Sequence, residues 1–291
     1  WEGIDVDALK KLAEDAITDA HHVKNIKPIP NRKSTKEVPL LDCFYAPCSE
    51  GCPIHQDIPQ YIKLTGEGKY KEALEVILEK NALPFITGTL CAHNCMTKCT
   101  RNFYEESVNI RGTKLTAAEH GYEQLIGEIK AGEPNGKKVA VVGGGPVGIA
   151  AAYFLAREGA AVTIFEKEEK AGGVIRYVIP GFRIGNDAID KDISFIEKMG
   201  VEIRTNTEIT SVKELKEQGY DAVILAIGAG KPGTLKLEKG ETVNALKFLR
   251  DFKASEGKLD IGRNVVVIGG GNTAMDTDKD EKRTQGVENV Y

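Results

Sequence analysis

The chain has 291 residues, a formal net charge of −4 and 41% hydrophobic residues. That length leaves room for two domains and part of a third, and the mild acidity argues against nucleic acid as the main partner. No signal-peptide core and no apolar run of membrane-spanning length is present, so no membrane association is expected and a reducing, cytoplasmic setting is.

Asp5 to Ala20 has the period of an amphipathic helix, with Leu9, Leu12, Ala13, Ala16 and Ile17 on one face. Residue 1 is Trp, which points to a fragment, a processed chain or a missing start. His21-His22 has no partner at metal-ligand spacing and reads as surface, and the lysines from Lys24 to Lys36 read as solvated linker. Ile26 to Leu41 carries three prolines and reads as an extended connector. Lys69 to Lys80 is a second helix, with Tyr70, Ala73, Leu74, Ile77 and Leu78 inward. Lys114 to Lys130 is a third, ending at the turn-rich Gly132 and Pro134-Asn135-Gly136, which marks a domain boundary.

All six cysteines lie between these landmarks, as Cys43-x4-Cys48-x3-Cys52-Pro53 and Cys91-x3-Cys95-x3-Cys99. In a reducing compartment such spacing suits thiolate ligation of iron–sulfur clusters. Zinc and buried free thiols are the alternatives, although zinc sites favour C-x2-C knuckles and none occurs here.

Past the boundary, the apolar run Lys138 to Val142 feeds directly into Gly143-Gly144-Gly145-Pro146-Val147-Gly148, a helical pattern follows, and a second apolar run from Ala161 to Phe165 ends on Glu166. This is the full strand–turn–helix–strand–acid unit that binds an adenine dinucleotide. Gly143 allows the tight turn, Gly145 admits a pyrophosphate and Gly148 lets the helix pack on the strand. Glu166 stands where a carboxylate meets a ribose hydroxyl, with Lys167 beside it. Further on, Ala171-Gly172-Gly173 offers a second glycine contact, and Arg183 is a candidate for a flavin or phosphate contact or for a surface salt bridge. Asp187 to Met199 reads as a helix, Val201 to Arg204 as a strand, and Tyr220 to Ala226 as a strand ending at Ala226-Ile227-Gly228. A second unit opens with the strand Asn264 to Ile268 and the turn Gly269-Gly270-Gly271-Asn272-Thr273-Ala274. Two such units in one chain usually mean a resident flavin and a diffusing nicotinamide cofactor.

This order of motifs resembles the small subunit of NADPH-dependent glutamate synthase and the flavin half of dihydropyrimidine dehydrogenase. The nearest likeness is to a flavoprotein subunit ascribed to selenate reduction. It is carried by Ala46-Pro47-Cys48 through Cys52-Pro53-Ile54, Asn81-Ala82-Leu83-Pro84 and Gly271-Asn272-Thr273-Ala274-Met275-Asp276. The resemblance implies an α/β, Rossmann-like, two-dinucleotide-binding flavoprotein fold with an N-terminal all-α iron–sulfur domain. On that basis residues 1–135 form the helical iron–sulfur domain, 136–262 the first part of the FAD-binding domain and 263–291 the start of an incomplete NAD(P)-binding domain. FAD falls to Gly143, Gly145, Pro146, Val147, Gly148, Glu166, Lys167, Gly173, Arg183, Ala226 and Gly228, and NADPH or NADH to Gly269, Gly271, Asn272, Thr273 and Ala274. One or two [4Fe-4S] clusters fall to Cys43, Cys48 and Cys99, and to Cys52, Cys91 and Cys95. The chain departs from the family at Leu40, where relatives carry a cysteine, and at Lys114, where they carry a Glu or Gln ligand. Each group of three cysteines then lacks a fourth ligand.

The function this implies is an oxidoreductase passing electrons between NAD(P)H, FAD and clusters to a larger catalytic subunit or domain. No side chain stands out as a nucleophile or general base. The alternative is a non-catalytic iron–sulfur and flavin scaffold fragment of a larger redox complex. The helix after Gly271 fits neither reading easily. Ala274, Thr277, Asp278 and Glu281 should face a sheet, yet two of them are acids, and a helix polar all round buries poorly.

Overall fold

The computed structural model describes residues 6–18, 46–103, 105–230, 233, 235, 237–239 and 242–291. The connector 26–41, His21-His22, Leu40 and Cys43 lie outside them, as do the side chains of Leu9, Ala13, Ala16 and Ile17 within the first helix. Cα packing gives two compact units, residues 1–59 with 93–110, and residues 60–92 with 111–291. The first holds helices α1 (Val6–Thr18), α2 (Pro47–Glu50) and α6 (Asn94–Thr97), followed by a 3₁₀ turn over Thr100–Phe103. Among the described residues no helix is long and apolar enough to cross a membrane.

The second unit is built on a parallel sheet of β1 (Lys138–Val142), β2 (Ala161–Phe165), β3 (Glu202–Arg204) and β4 (Ala222–Leu225), in the order β3-β2-β1-β4. Val139 of β1 pairs with Val162 on one side and Ala222 on the other. A near-continuous apolar strand is what a sheet covered on both faces requires. Val139 and Val141 join the larger core with Ile164 of β2, while Ala140 and Val142 face the other way onto Phe165, Leu215 and Tyr220. Helix α8 (Pro146–Arg157) buries Ile149, Ala152, Tyr153 and Ala156, and α10 (Asn186–Lys198) buries Ile189, Ile193, Phe195 and Ile196. Between them runs the short α9 (Gly173–Tyr177), and α11 (Val212–Glu217) covers the second face through Leu215.

Helices α3 (Ile58–Gly66), α4 (Tyr70–Leu78), α5 (Pro84–Leu90) and α7 (Ile110–Leu125) precede the sheet in sequence. The helix expected at 69–80 is α4, with Ala73, Leu74, Ile77 and Leu78 buried as the period requires. Leu74, Leu78, Phe85, Ile86, Ala118 and Leu125 belong to the same core as β1 and α8. Packing therefore cuts the chain at other points than residue 135, because these helices share their apolar face with the sheet.

One buried carboxylate ties the two layers together. Asp192 of α10 is fully buried and accepts the Phe85 amide at 3.0 Å and the Ile86 amide at 2.7 Å, both at the start of α5. The first amides of a helix have no partner inside it, so a carboxylate there satisfies two at once. Burial pushes the Asp192 carboxyl up to about 8, against the opposing pull of those two amides and the charge of Lys114.

The last segment holds α12 (Ala245–Ala254), β5 (Asn264–Val265), α13 (Asn272–Glu281) and β6 (Asn289–Val290). The strand expected over 264–268 is shorter than its apolar pattern suggests. β5 pairs in parallel with the equally short β6, and Val266 and Ile268 are 68% and 65% exposed. With no layer over them, those side chains gain nothing from an extended ladder.

Candidate functional site

The first glycine turn sits at the C-terminal end of β1, between β2 and β4, where the strand order reverses. Open α/β sheets bind ligands at that crevice. The Gly143 amide donates to the Phe165 carbonyl at 2.8 Å, and its φ of +106° belongs to glycine. A Cβ on Gly143 would stand 2.4 Å from the Ala226 carbonyl oxygen, so β4 closes directly on the turn. A Cβ on Gly148 would stand 1.9 Å from the Gly143 carbonyl oxygen, which is why the helix can follow so tightly only with glycine there.

Gly145 behaves differently. It caps α8 at φ −77°, Pro146 takes the first helical position, and a Cβ would meet only the Gly173 Cα, at 3.8 Å. Its open side faces away from protein, over the N-terminus of a twelve-residue helix, where backbone amides and the helix dipole favour a phosphate. Gly173, at φ +55°, approaches so closely that its own Cβ would stand 2.9 Å from the Gly145 Cα, and the Gly172 amide donates to the Gly144 carbonyl at 2.7 Å. The two glycine pairs thus form one cradle, and its shape fits a dinucleotide pyrophosphate.

Glu166 is buried with its carboxylate turned into this cradle, accepting the Gly144 amide at 2.7 Å on Oε2 and the Glu168 amide at 2.9 Å on Oε1. It braces the turn through both oxygens. Lys167, Val147 and Gly228 are exposed at the rim, and Ala226 is buried beneath it. Arg183 is engaged by a protein carboxylate. Its Nε and Nη2 both lie 2.6 Å from Asp276 Oδ1 on α13.

The second turn repeats the backbone of the first. Gly269 has φ +140°, Gly271 caps α13 at φ −84°, and Ala274 stands in the third small position. Its surroundings are bare: a Cβ on Gly270 or Gly271 meets nothing within 4 Å, and Asn272 and Thr273 are exposed. Behind it, α13 buries Asp276, Thr277, Asp280 and Glu281 against α12 and the segment before Arg183, whereas Ala274 and Asp278 are only half-buried. A helix polar all round was expected to bury poorly, and the structure corrects this: α13 buries a polar face, with Asp276 and Asp280 in place of the expected Ala274 and Asp278. Asp276 is paired with Arg183, and Arg283 sits 3.4 Å from Asp280. Glu281 Oε2 is left without a partner, and burial raises the carboxyls of Asp280 and Glu281.

Within the first unit, α2 and α6 bring the cysteine segments together. Gly51 is the contact point, since a Cβ there would stand 2.8 Å from Lys98 Cγ and 3.3 Å from Cys95 Cα. Cys52 and Cys95 are buried, and Cys48 and Cys99 half-buried. Burial pushes the Cys48 thiol up, opposed by the Ser49 and Cys48 amides and reinforced by the nearby Cys99. In the second unit, Cys91 closes α5, with Arg111 donating to its carbonyl at 3.1 Å. Among the described residues no three His, Cys, Asp or Glu side chains converge as a ready metal cage, and Cys43 lies outside them. A set rich in thiolates fits iron–sulfur chemistry by donor type.

Sequence reading missed Asp276, Arg176 and Asp192. Arg176 is buried and bonded to the Ala171 carbonyl and to Asp190, which makes it part of the wall beside the second glycine pair. The available signal for Arg176 was a charge inside an apolar stretch, and for Asp192 a carboxylate on the apolar face of a helix with Ile189, Ile193 and Ile196. For Asp276 there was none, because its partner is 93 positions away.

Comparison with known proteins agrees with this geometry. Residues 28–125 match the family described as dihydropyrimidine dehydrogenase domain II, 4Fe-4S cluster, and residues 137–278 match pyridine nucleotide-disulphide oxidoreductase. A protein of Escherichia coli K12 named as the oxidoreductase YgfK is 43% identical over 98% of this chain and 28% of its own length. The NADPH-Fe(3+) oxidoreductase subunit beta of Geobacter sulfurreducens is 38% identical over 93% of this chain and 41% of its own. The glutamate synthase [NADPH] small chain of Bacillus subtilis is 36% identical over 78% of this chain and 49% of its own. The chain thus spans 28% to 49% of the length of these relatives. With both domain models in the same order as its cysteine and glycine motifs, the chain belongs to the iron–sulfur flavoprotein oxidoreductase family of the glutamate synthase small chain and the flavin half of dihydropyrimidine dehydrogenase.

Proposed function

We propose that the chain is the electron-entry portion of an NAD(P)H-dependent oxidoreductase that acts in the cytoplasm and serves a larger catalytic subunit or domain. Bound there, FAD would supply the two-electron exchange with NAD(P)H, and [4Fe-4S] clusters would supply one-electron transfer onward to the partner. The residues supply position and charge. Gly143, Gly145, Gly148 and Gly173 hold the FAD pyrophosphate against backbone amides, with Pro146 and Val147 in the first turn of the helix. Glu166 keeps the turn closed and faces the ribose, with Lys167 at the rim, and Ala226 and Gly228 bring β4 beside the cofactor. Arg183 reaches the flavin side. Gly269, Gly271, Asn272, Thr273 and Ala274 receive the nicotinamide dinucleotide, and Cys43, Cys48, Cys52, Cys91, Cys95 and Cys99 ligate iron.

One observation carries this reading: the open side of Gly145 over a helix N-terminus, where the nearest atom to an added Cβ is another glycine's Cα at 3.8 Å. The test is anaerobic measurement of iron, acid-labile sulfide and flavin on the full-length protein. One FAD with four or eight irons per chain is expected. Zinc in place of iron, or protein without flavin, contradicts it.

A further inference from the structure

We propose that Asp276 is a positioning residue for hydride transfer, holding Arg183 so that the flavin-side segment 179–183 is tied to the helix behind the second glycine turn. This rests on the assignment of FAD to the first turn and NAD(P)H to the second. The ion pair joins residues 93 positions apart, through two guanidinium nitrogens each 2.6 Å from one carboxylate oxygen. The Asp276 side chain is 11% exposed and that of Arg183 35%, so the pair is partly shielded from solvent. Shielded, charge-assisted contacts hold geometry far better than exposed ones.

The pair is the centre of a larger grip. Arg283, Lys279 and Arg183 lie 4.7, 5.2 and 6.0 Å from the centre of the Phe182 ring, and the first two come from α13 and the residues just after it. Lys253 of α12 donates to the Ile179 carbonyl at 2.7 Å. The segment so held begins at the first turn, where Gly172 bonds Gly144 and Gly173 abuts Gly145. Residues 172–183 therefore run from the FAD cradle to α13, and α13 starts at the second turn. This is a continuous physical connection between the two sites, with a pair that can be made or broken.

Charge gives the connection its sense. The N-terminus of α13 favours an anion, but Asp276 sits little more than one helical turn inside it and opposes one. Arg183 cancels that charge. An anionic dinucleotide arriving at the bare Gly270-Gly271 shifts the balance between Asp276 and Arg183, and so acts on the segment that leads to the flavin. Stability alone does not account for the arrangement, since a buried face of small apolar residues would pack at least as well as Asp276, Thr277, Asp280 and Glu281. By linkage, whatever the second turn does to the flavin side, the flavin side does to binding at the second turn.

The test uses full-length, FAD-loaded protein, titrated with NADP+ or NAD+ so that no turnover occurs, with the flavin absorbance difference spectrum as readout. Stopped-flow reduction by NADPH or NADH follows. In Asp276→Asn the spectral amplitude is expected to fall below about a third of wild type and the reduction rate at least about tenfold. FAD content should be unchanged, and Asp276→Glu should restore most of both signals. If Asp276→Asn does not fold, Arg183→Lys, which keeps the charge and loses the fork, should show the same loss to a lesser degree. Wild-type amplitude and rate in Asp276→Asn overturn the proposal, and so does equal damage in Asp276→Asn and Asp276→Glu. A wild-type protein whose flavin ignores NAD(P)H altogether overturns the assignment of the two turns instead, and the proposal with it.

Discussion

The two glycine turns have nearly the same backbone and opposite surroundings. Gly145 and Gly271 cap their helices at φ −77° and −84°, and Gly143 and Gly269 both take positive φ. The first turn is walled by Ala226, Glu166 and Gly173, whereas side chains on Gly270 and Gly271 would meet nothing within 4 Å. A fingerprint specifies how the chain bends, and the neighbours decide whether the bend is a finished cradle. The third small residue shows this most clearly. At the first turn a methyl would drive into the Gly143 carbonyl, while at the second Ala274 carries that methyl, 3.4 Å from a Cβ built on Gly269.

Breaking this contrast should give the largest effect. Gly148→Ala places a Cβ 1.9 Å from the Gly143 carbonyl, so β1 and α8 must separate. A loss of about 3 kcal/mol or more in urea unfolding is expected, together with loss of FAD. The counterpart Ala274→Gly should cost about 1 kcal/mol, the price of helix propensity.

Next come substitutions that spare the fold and remove a ligand. Gly145→Val should fold, since no side chain or carbonyl blocks it, yet retain no FAD. Gly271→Val should keep FAD and lose NAD(P)H affinity, read by flavin content after gel filtration and by nucleotide titration. Normal flavin in Gly145→Val would place the cofactor elsewhere.

A smaller effect tests what the first turn has and the second lacks. Glu166→Gln offers one acceptor where two amides bind, leaving Gly144 or Glu168 poorly satisfied. About 1–2 kcal/mol of stability should go, with weaker FAD retention. A pH-dependent effect of a different kind lies in the layer beneath the turn, at Asp192. Burial raises its folded pKa to about 8, so between roughly pH 5 and 8 the folded protein holds a proton that the unfolded chain has released. Stability should therefore climb as pH falls through that window, by at most about 1.4 kcal/mol per pH unit, and Asp192→Asn should flatten the slope. A slope unchanged by the substitution would assign the proton to another group.

What could be read in the sequence follows the range of the forces involved. The Gly143–Gly148 unit, β1, β2, α8 and α10 were legible because turn chemistry and apolar period act over a few residues. The helix at 70–78 was legible for the same reason, but its membership in the sheet's core was not, since Leu74 and Val141 meet only in three dimensions. The acids of α13 read as a defect because Asp276 is balanced by Arg183, outside any local window. Arg183 itself was weighed between a cofactor contact and a surface salt bridge; the fold shows it paired with the largely buried Asp276, and the flavin contact is part of the proposal. The strand over 264–268 read as longer than it is, because an apolar run says nothing about whether a layer covers it.

The central claim is that the two turns hold an electron donor and its acceptor. Anaerobic stopped-flow mixing of the full-length, FAD-loaded protein with NADPH or NADH tests it most directly. The account predicts bleaching of the flavin absorbance, followed by reduction of the iron–sulfur clusters seen by low-temperature EPR. Protein that contains both cofactors and whose flavin stays oxidised with either nucleotide would contradict it.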